Sequence, residues 1–288
     1  MVQYTHNYIR SVKNTMTVKI ESTSNIVFKN IKKLASHSGR KKAGQFVIEG
    51  YRSVKDAILN NAPVEFVAIA DSAPHSEREF FDGLKNIKKY IFADKLFAEL
   101  KFTVNSQGIL AVAEYKEKST DEMFENTDGT IKCRYKNLVY LDNVRDPGNV
   151  GTVIRTCDAF ACGALILSAG CADVYSPKVI RSTMSSIFNI PVFFDSDPGN
   201  TFAMLKKCGY EIYGTFLSAN KYLCDIPIDD MSVLVMGNEA NGISEQIEKL
   251  CTQKIKIPMS GRAESLNVAT ACSVAVYERF ARGLKNNG

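Results

Sequence analysis

Apolar residues come in short runs along this chain, each closed by a turn rich in glycine, proline or asparagine. The clearest case spans residues 138–168, LVYLDNVRDPGNVGTVIRTCDAFACGALILS. Its apolar opening at 138–141 predicts a buried strand, and Asp146-Pro147-Gly148-Asn149 predicts a turn leading into a helix. The helical run closes at Gly163, and residues 164–167 predict a second strand. Strand, helix and strand at this length make a parallel crossover.

The same reading carries through the rest of the chain. Ser24-Asn25 caps a helix with Ile26, Val27, Ile31 and Leu34 as its apolar stripe, followed by a tight basic turn at 40–44. Strands are predicted at 45–48, 64–70, 90–92 and 107–113, with helices at 51–60 and 76–88 and a helical turn at 95–100. That alternation predicts a small α/β module over residues 24–115, after a leader at 1–23 in which Met16 offers an alternative start. Residues 116–136 are polar and turn-rich and predict a linker; a second α/β domain covers 137–288. In it, further strands are expected at 191–194, 211–217, 232–236 and 254–258. Ser265 is the expected N-cap of a last helix whose stripe is Val268, Ala271, Ala275, Val276 and Phe280.

Composition narrows the function. Residues 1–60 carry eleven Lys and Arg against three acids, whereas the remainder is net acidic within an overall charge of +5. A basic front end is an electrostatic footprint for nucleic acid, and also an ordinary solvated face. The eight cysteines contain no CxxC pair, which favours reduced core thiols, a cytoplasmic location and no metal site over a disulfide framework. All three histidines lie in the first 75 residues, so chemistry in the second half uses none. The longest uncharged stretch, between Asp158 and Asp173, is shorter than the roughly 20 residues of a membrane helix.

Three loops then hold the candidate chemistry. Gly148, Gly151 and Arg155 recur at helical spacing, which projects the guanidinium over a face with little side chain, open to a large ligand; the plain reading is a strand-to-helix turn with Asn149 as cap and Arg155 as a surface cation. Gly237-Asn238-Glu239-Ala240-Asn241-Gly242 is a turn in its plainest reading, and Ser265-Leu266-Asn267 a helix start. All three fall at the C-terminal ends of predicted parallel strands, where open α/β sheets bind ligands. Neither a GxGxxG fingerprint nor a Walker lysine motif is present.

Asn149 to Arg155 (N-x-G-x-x-x-R), GNEANGIS at 237–244 and IPMSGRAESLNVATA at 257–271 resemble the three ordered motifs of the SpoU/TrmH branch of the SPOUT RNA methyltransferases. The likeness spans residues 138–280, and the first module resembles the family's ribosomal-protein-like substrate-binding domain through FVIEG at 46–50 and QGILA at 107–111. Ala240 stands where the second motif often has glycine. The resemblance implies a C-terminal trefoil knot on a parallel sheet, a homodimer, and S-adenosylmethionine as cofactor. Thr215, Phe216, Gly237, Asn238, Ile257 and Leu266 would hold that cofactor. Arg155 would stabilise the reacting ribose 2′-oxygen, with Asn149 and Glu239 orienting it and Ser265 and Asn267 fixing RNA or closing the cofactor loop. Lys29, Lys32, Arg40, Lys41, Lys42, Lys178 and Arg181 are the expected RNA phosphate contacts. The implied activity is ribose 2′-O-methylation of ribosomal RNA; tRNA is the alternative substrate, and a catalytically silent RNA-binding factor the alternative class of function.

Overall fold

The computed structural model describes residues 17–100, 102, 106–226 and 229–286, in two units divided between Glu114 and Tyr115. The first begins with β1 (Thr17–Ile20), α1 (Ile26–Lys33), α2 (His37–Ala43) and β2 (Gln45–Glu49). Then come α3 (Tyr51–Leu59), β3 (Val64–Ala70), α4 (His75–Asp82), β4 (Lys88–Phe92), α5 (Asp94–Leu100) and β5 (Ile109–Glu114). Its mixed sheet has the order β1-β4-β3-β5-β2, with β5 antiparallel to both neighbours.

Expectation and structure differ here in several places; the expected helix at 76–88, for one, ends at Asp82, and β4 already begins at Lys88. β1 lies within the expected leader, whose residues 1–16 fall outside the described residues; β1 pairs in parallel with β4. Only Ile20 of this four-residue strand is buried, too little to leave a period in the sequence. The buried stripe of α1 is Phe28, Ile31 and Leu34, while Ile26, the first residue after the Asn25 cap, is exposed, because the core face of the helix starts at Phe28. The basic turn at 40–44 is in fact the end of α2, and Arg40 is buried. Its guanidinium donates to the carbonyls of Leu34 and Ala35 at 2.8 and 2.9 Å, satisfying the open end of α1. Arg40 is therefore a structural cation and not a phosphate contact.

The second unit contains β6 (Lys118–Ser119), β7 (Phe124–Thr127), β8 (Thr130–Cys133), β9 (Leu138–Leu141) and α6 (Pro147–Ala159). It continues with β10 (Ala164–Ser168), α7 (Pro177–Ser182), β11 (Val192–Asp195), α8 (Pro198–Lys207), β12 (Glu211–Thr215) and β13 (Lys221–Tyr222). β14 (Ser232–Met236), α9 (Glu245–Glu248), β15 (Gln253–Lys256) and α10 (Val268–Asn286) complete it. The eight-stranded sheet runs β13-β15-β12-β14-β9-β10-β11-β6, with every pairing parallel.

The expected linker at 116–136 is folded: β6 pairs with β11, and β7 and β8 form an antiparallel hairpin. Its polar composition belongs to a sheet edge and an exposed hairpin. At the centre, β9 is buried on both faces. Val139 and Leu141 pack with α6 and α10, Leu138 and Tyr140 with Phe202 and Leu205 of α8. That explains an unbroken apolar run where a one-sided strand would alternate.

One charged residue sits on the core face of α10. Arg279 is buried and donates to the carbonyls of Asn137 and Leu138 at 3.0 and 3.1 Å and to the thiol of Cys162 at 3.2 Å. It ties the last helix to the entry of the central strand. Arg279→Met should lower unfolding stability by about 2–4 kcal/mol by orphaning these acceptors, as read by denaturant titration. A loss below about 0.5 kcal/mol would mean that water replaces the guanidinium freely.

Candidate active site

Four parallel strands end on one edge of the second unit: β9 at Leu141, β12 at Thr215, β14 at Met236 and β15 at Lys256. The loops after the last three, with the first turn of α10, enclose a cavity of about 660 Å³. All six residues expected at a cofactor line it: Thr215, Phe216, Gly237, Asn238, Ile257 and Leu266. Met236, Val268 and Ala271 extend its apolar wall, and Glu239, Ser265 and Asn267 lie at its polar side.

The loop after β14 is tightly folded. Asn238 and Gly242 exchange backbone hydrogen bonds of 2.8 and 2.9 Å, and the Asn238 side-chain oxygen accepts from the amides of Ala240 and Asn241. A Cβ at Gly237 would lie 2.2 Å from the backbone of Gly242 and Ile243, so only glycine fits the point where the loop closes on itself. The segment is the turn that its residues predict, and it also presents Glu239 at the cavity.

Three loops meet through side chains. Asn149 Nδ2 donates to Glu239 Oε1 at 2.8 Å, and Asn267 Nδ2 donates to Asn149 Oδ1 at 3.0 Å. Asn149 sits in the first turn of α6, its backbone amide held at 2.9 Å by the capping carboxylate of Asp146. Asn267 caps α10, accepting from the amides of Ala269 and Thr270. Ser265 is thus not the cap: α10 starts at Val268, and Ser265 is exposed at the cavity.

Arg155 stands apart. It is exposed and does not line the cavity, and its guanidinium has no hydrogen bond or ion pair with any described residue. Six residues beyond Asn149 on a helix, it lies roughly 9 Å along the axis and about a third of a turn away. Asn149 and Glu239, expected to orient Arg155, bond each other instead. Gly151 also differs from expectation: a Cβ there would fall 1.8 Å from Ser182 Oγ, so this face packs on α7 and is closed to a ligand.

Lys178 and Arg181 are exposed on α7, with Lys178 Nζ 4.0 Å from Asp146. In the first unit Lys29, Lys41 and Lys42 are exposed, and Lys32 is paired with Glu99 at 2.8 Å. Sequence reading missed Arg145, an exposed cation in the loop between β9 and α6 with no partner among the described residues. Its charge was visible, but a loop residue has no period that links it to the motif. Among the described residues no cluster of His, Cys, Asp or Glu is arranged to hold a metal ion, and no helix is long and apolar enough to cross a membrane.

A model of the SpoU rRNA Methylase family matches residues 136–277, and an MRM3-like substrate binding domain matches 25–111. The chain is 32% identical over 259 residues to the 23S rRNA (guanosine(2553)-2′-O)-methyltransferase RlmP of Bacillus subtilis, covering 90% of this chain and 98% of that one. This chain belongs to the SpoU rRNA methylase family. A second SpoU relative, the 23S rRNA (uridine(2479)-2′-O)-methyltransferase of Streptomyces viridochromogenes, is 28% identical with 85% of each chain covered. Among solved structures, the SpoU methyltransferase AviRb from S. viridochromogenes in complex with AdoMet superposes with a TM-score of 0.78 at 26% identity. That match covers 91% of this chain and 100% of AviRb.

In this SpoU chain, Gly237→Ala should force the 237–243 loop to shift, at a cost of about 1–3 kcal/mol. Thermal unfolding and amide exchange at Gly242 read the effect. Unchanged exchange would mean that the loop yields without cost.

Proposed function

We propose that the chain methylates a ribose 2′-hydroxyl of 23S-type ribosomal RNA with S-adenosylmethionine as donor. The observation that carries this reading is the strand-end cavity, lined by all six expected cofactor residues and edged by the Asn149–Glu239–Asn267 bridge. Its size and its mix of apolar wall with a few polar groups suit a small organic cofactor. The named activities of RlmP and of the S. viridochromogenes relative, and AviRb's AdoMet complex, support substrate and donor. The eight free cysteines support a reducing, cytoplasmic setting.

S-adenosylmethionine, when bound, supplies an electrophilic methyl group. The protein's part is to position a ribose hydroxyl and to stabilise the negative charge that develops on its oxygen. Arg155 serves the second need as a fixed cation; a guanidinium does not lose its proton at neutral pH and is no general base. The bridge holds the start of α6 against the cavity, which sets where α6 presents its polar groups. Arg145, Lys178 and Arg181 flank the same helix start as phosphate contacts, with the exposed lysines of the first unit as further RNA contacts.

A homodimer belongs to this reading. Tyr277 and Val274 on α10 are 54% and 39% exposed, and Tyr277 packs edge-on against Phe160 at the end of α6, with ring centroids 5.5 Å apart. An exposed apolar strip on packed helices suits a second copy. Arg155, free of partners and outside its own chain's cavity, then serves the partner's cavity. The trefoil knot is part of the same reading, supported by a chain that leaves the sheet at β15, near its far edge, yet returns to join α10 to α6 through Thr156 and Ser273.

Transfer of labelled methyl to large-subunit RNA from a strain lacking its own ribose methylation tests the proposal. Label should appear in alkali-resistant dinucleotides and fall about 10²–10³-fold with Arg155→Ala. Label on a base, or no label in any ribosomal RNA, would overturn it.

A further inference from the structure

Beside the cavity lies a buried carboxylate that the chemistry above does not use. Asp142, at the end of β9, is 2% exposed. Its backbone amide donates to Met236 O at 2.8 Å, its Oδ2 accepts from the amide of Ser244 at 2.7 Å, and its Oδ1 accepts from Asn143 Nδ2 at 2.9 Å. Asn143 follows with a left-handed backbone, φ 54°, its amide held by Ser168 Oγ at 2.9 Å. That conformation turns its carbonyl to accept from Asn238 Nδ2 at 2.7 Å.

These contacts grip both ends of one loop. Met236 O and Asn238 stand at the entry of the 237–243 turn, and Ser244 at its exit, where α9 begins. Between the two grips lie Glu239 of the bridge and Gly237 of the cavity wall. The Ser244 contact joins a side-chain carboxylate oxygen to a backbone donor at 2.7 Å, partly shielded from water. If it were lost, the exit of the loop would keep no hydrogen bond to the end of the central strand among the described residues, and a buried carboxylate would be left short of a donor.

We propose that Asp142 is a positioning residue for methyl transfer: its carboxylate anchors the 237–244 loop to the central strand and so sets the cofactor cavity and the place of Glu239. The proposal rests on the function proposed above, but its first readout does not.

Two substitutions break the same hydrogen bond from opposite sides. Asp142→Ala removes the acceptor. Ser244→Pro removes the donor, at a residue whose φ of −65° suits proline and whose side chain makes no cap bond. The readouts are amide exchange across residues 239–244 and binding of S-adenosylmethionine by calorimetry, each on the full-length chain. Both single variants should speed exchange in the loop and weaken cofactor binding about tenfold or more, and the double variant should be no worse than either single one. Asp142→Asn keeps an acceptor for Ser244, because the Asn143 amide can turn to match it, and should restore both readouts to within about threefold. Unchanged exchange and affinity in Asp142→Ala, or additive losses in the double variant, would overturn the proposal. If Asp142→Ala does not fold, Ser244→Pro and Asp142→Asn decide the matter between them. Failure of the wild-type chain to bind S-adenosylmethionine would sink the proposed function, while loop exchange would still judge the anchor.

Discussion

The side-chain amide of Asn149 is the joint on which the site depends. It donates to the carboxylate of Glu239 and accepts from the amide of Asn267. A side-chain amide is neutral and does both at once, its NH2 donating to a carboxylate while its oxygen accepts from a second amide. Aspartate there would face Glu239 with like charge, and leucine would leave both partners unmet. Through this one side chain, loops 90 and 118 residues distant in sequence meet at the cavity.

What makes the joint exact enough to matter is the rigidity beneath it. β9 is buried on both faces, with β14 and β10 paired to either side. Its end, Asp142-Asn143, ties the loop after β14, and Arg279 of α10 ties its start. A burial pattern of this kind leaves the strand little freedom, so the loops at its end inherit a fixed frame. Exposed residues on loops do the recognition, and the buried strand sets where they stand.

Much of this was legible in the chain. Unbroken apolar runs at 138–141 and 232–236 marked the central strands, and the glycine- and asparagine-rich loops after them marked the cavity. What could not be read was set by contacts distant in sequence. Arg40 and Arg279 count as polar in any periodic pattern, yet both are buried because main-chain carbonyls receive their guanidinium groups. Gly151 suggests an open face until Ser182 is seen against it. Strands of two to four residues, β1 and β6 among them, are held by neighbours in the sheet and not by their own pattern. Ser265 and Asn267 are equally good caps by residue type, and only the start of α10 at Val268 chooses between them.

A single chain assembles the cavity and the bridge but leaves Arg155 exposed and outside both, and in the proposed function a second copy supplies that cation. Mixed dimers test it directly. Arg155→Ala and Asn267→Ala chains, each impaired alone, are co-refolded in equal amounts and assayed for methyl transfer. Half of the random dimers are then mixed, and each has one intact cavity facing one intact arginine, so about a quarter of wild-type activity should return. Activity no higher than the average of the two variants would contradict it, and would return Arg155 to the cavity of its own chain.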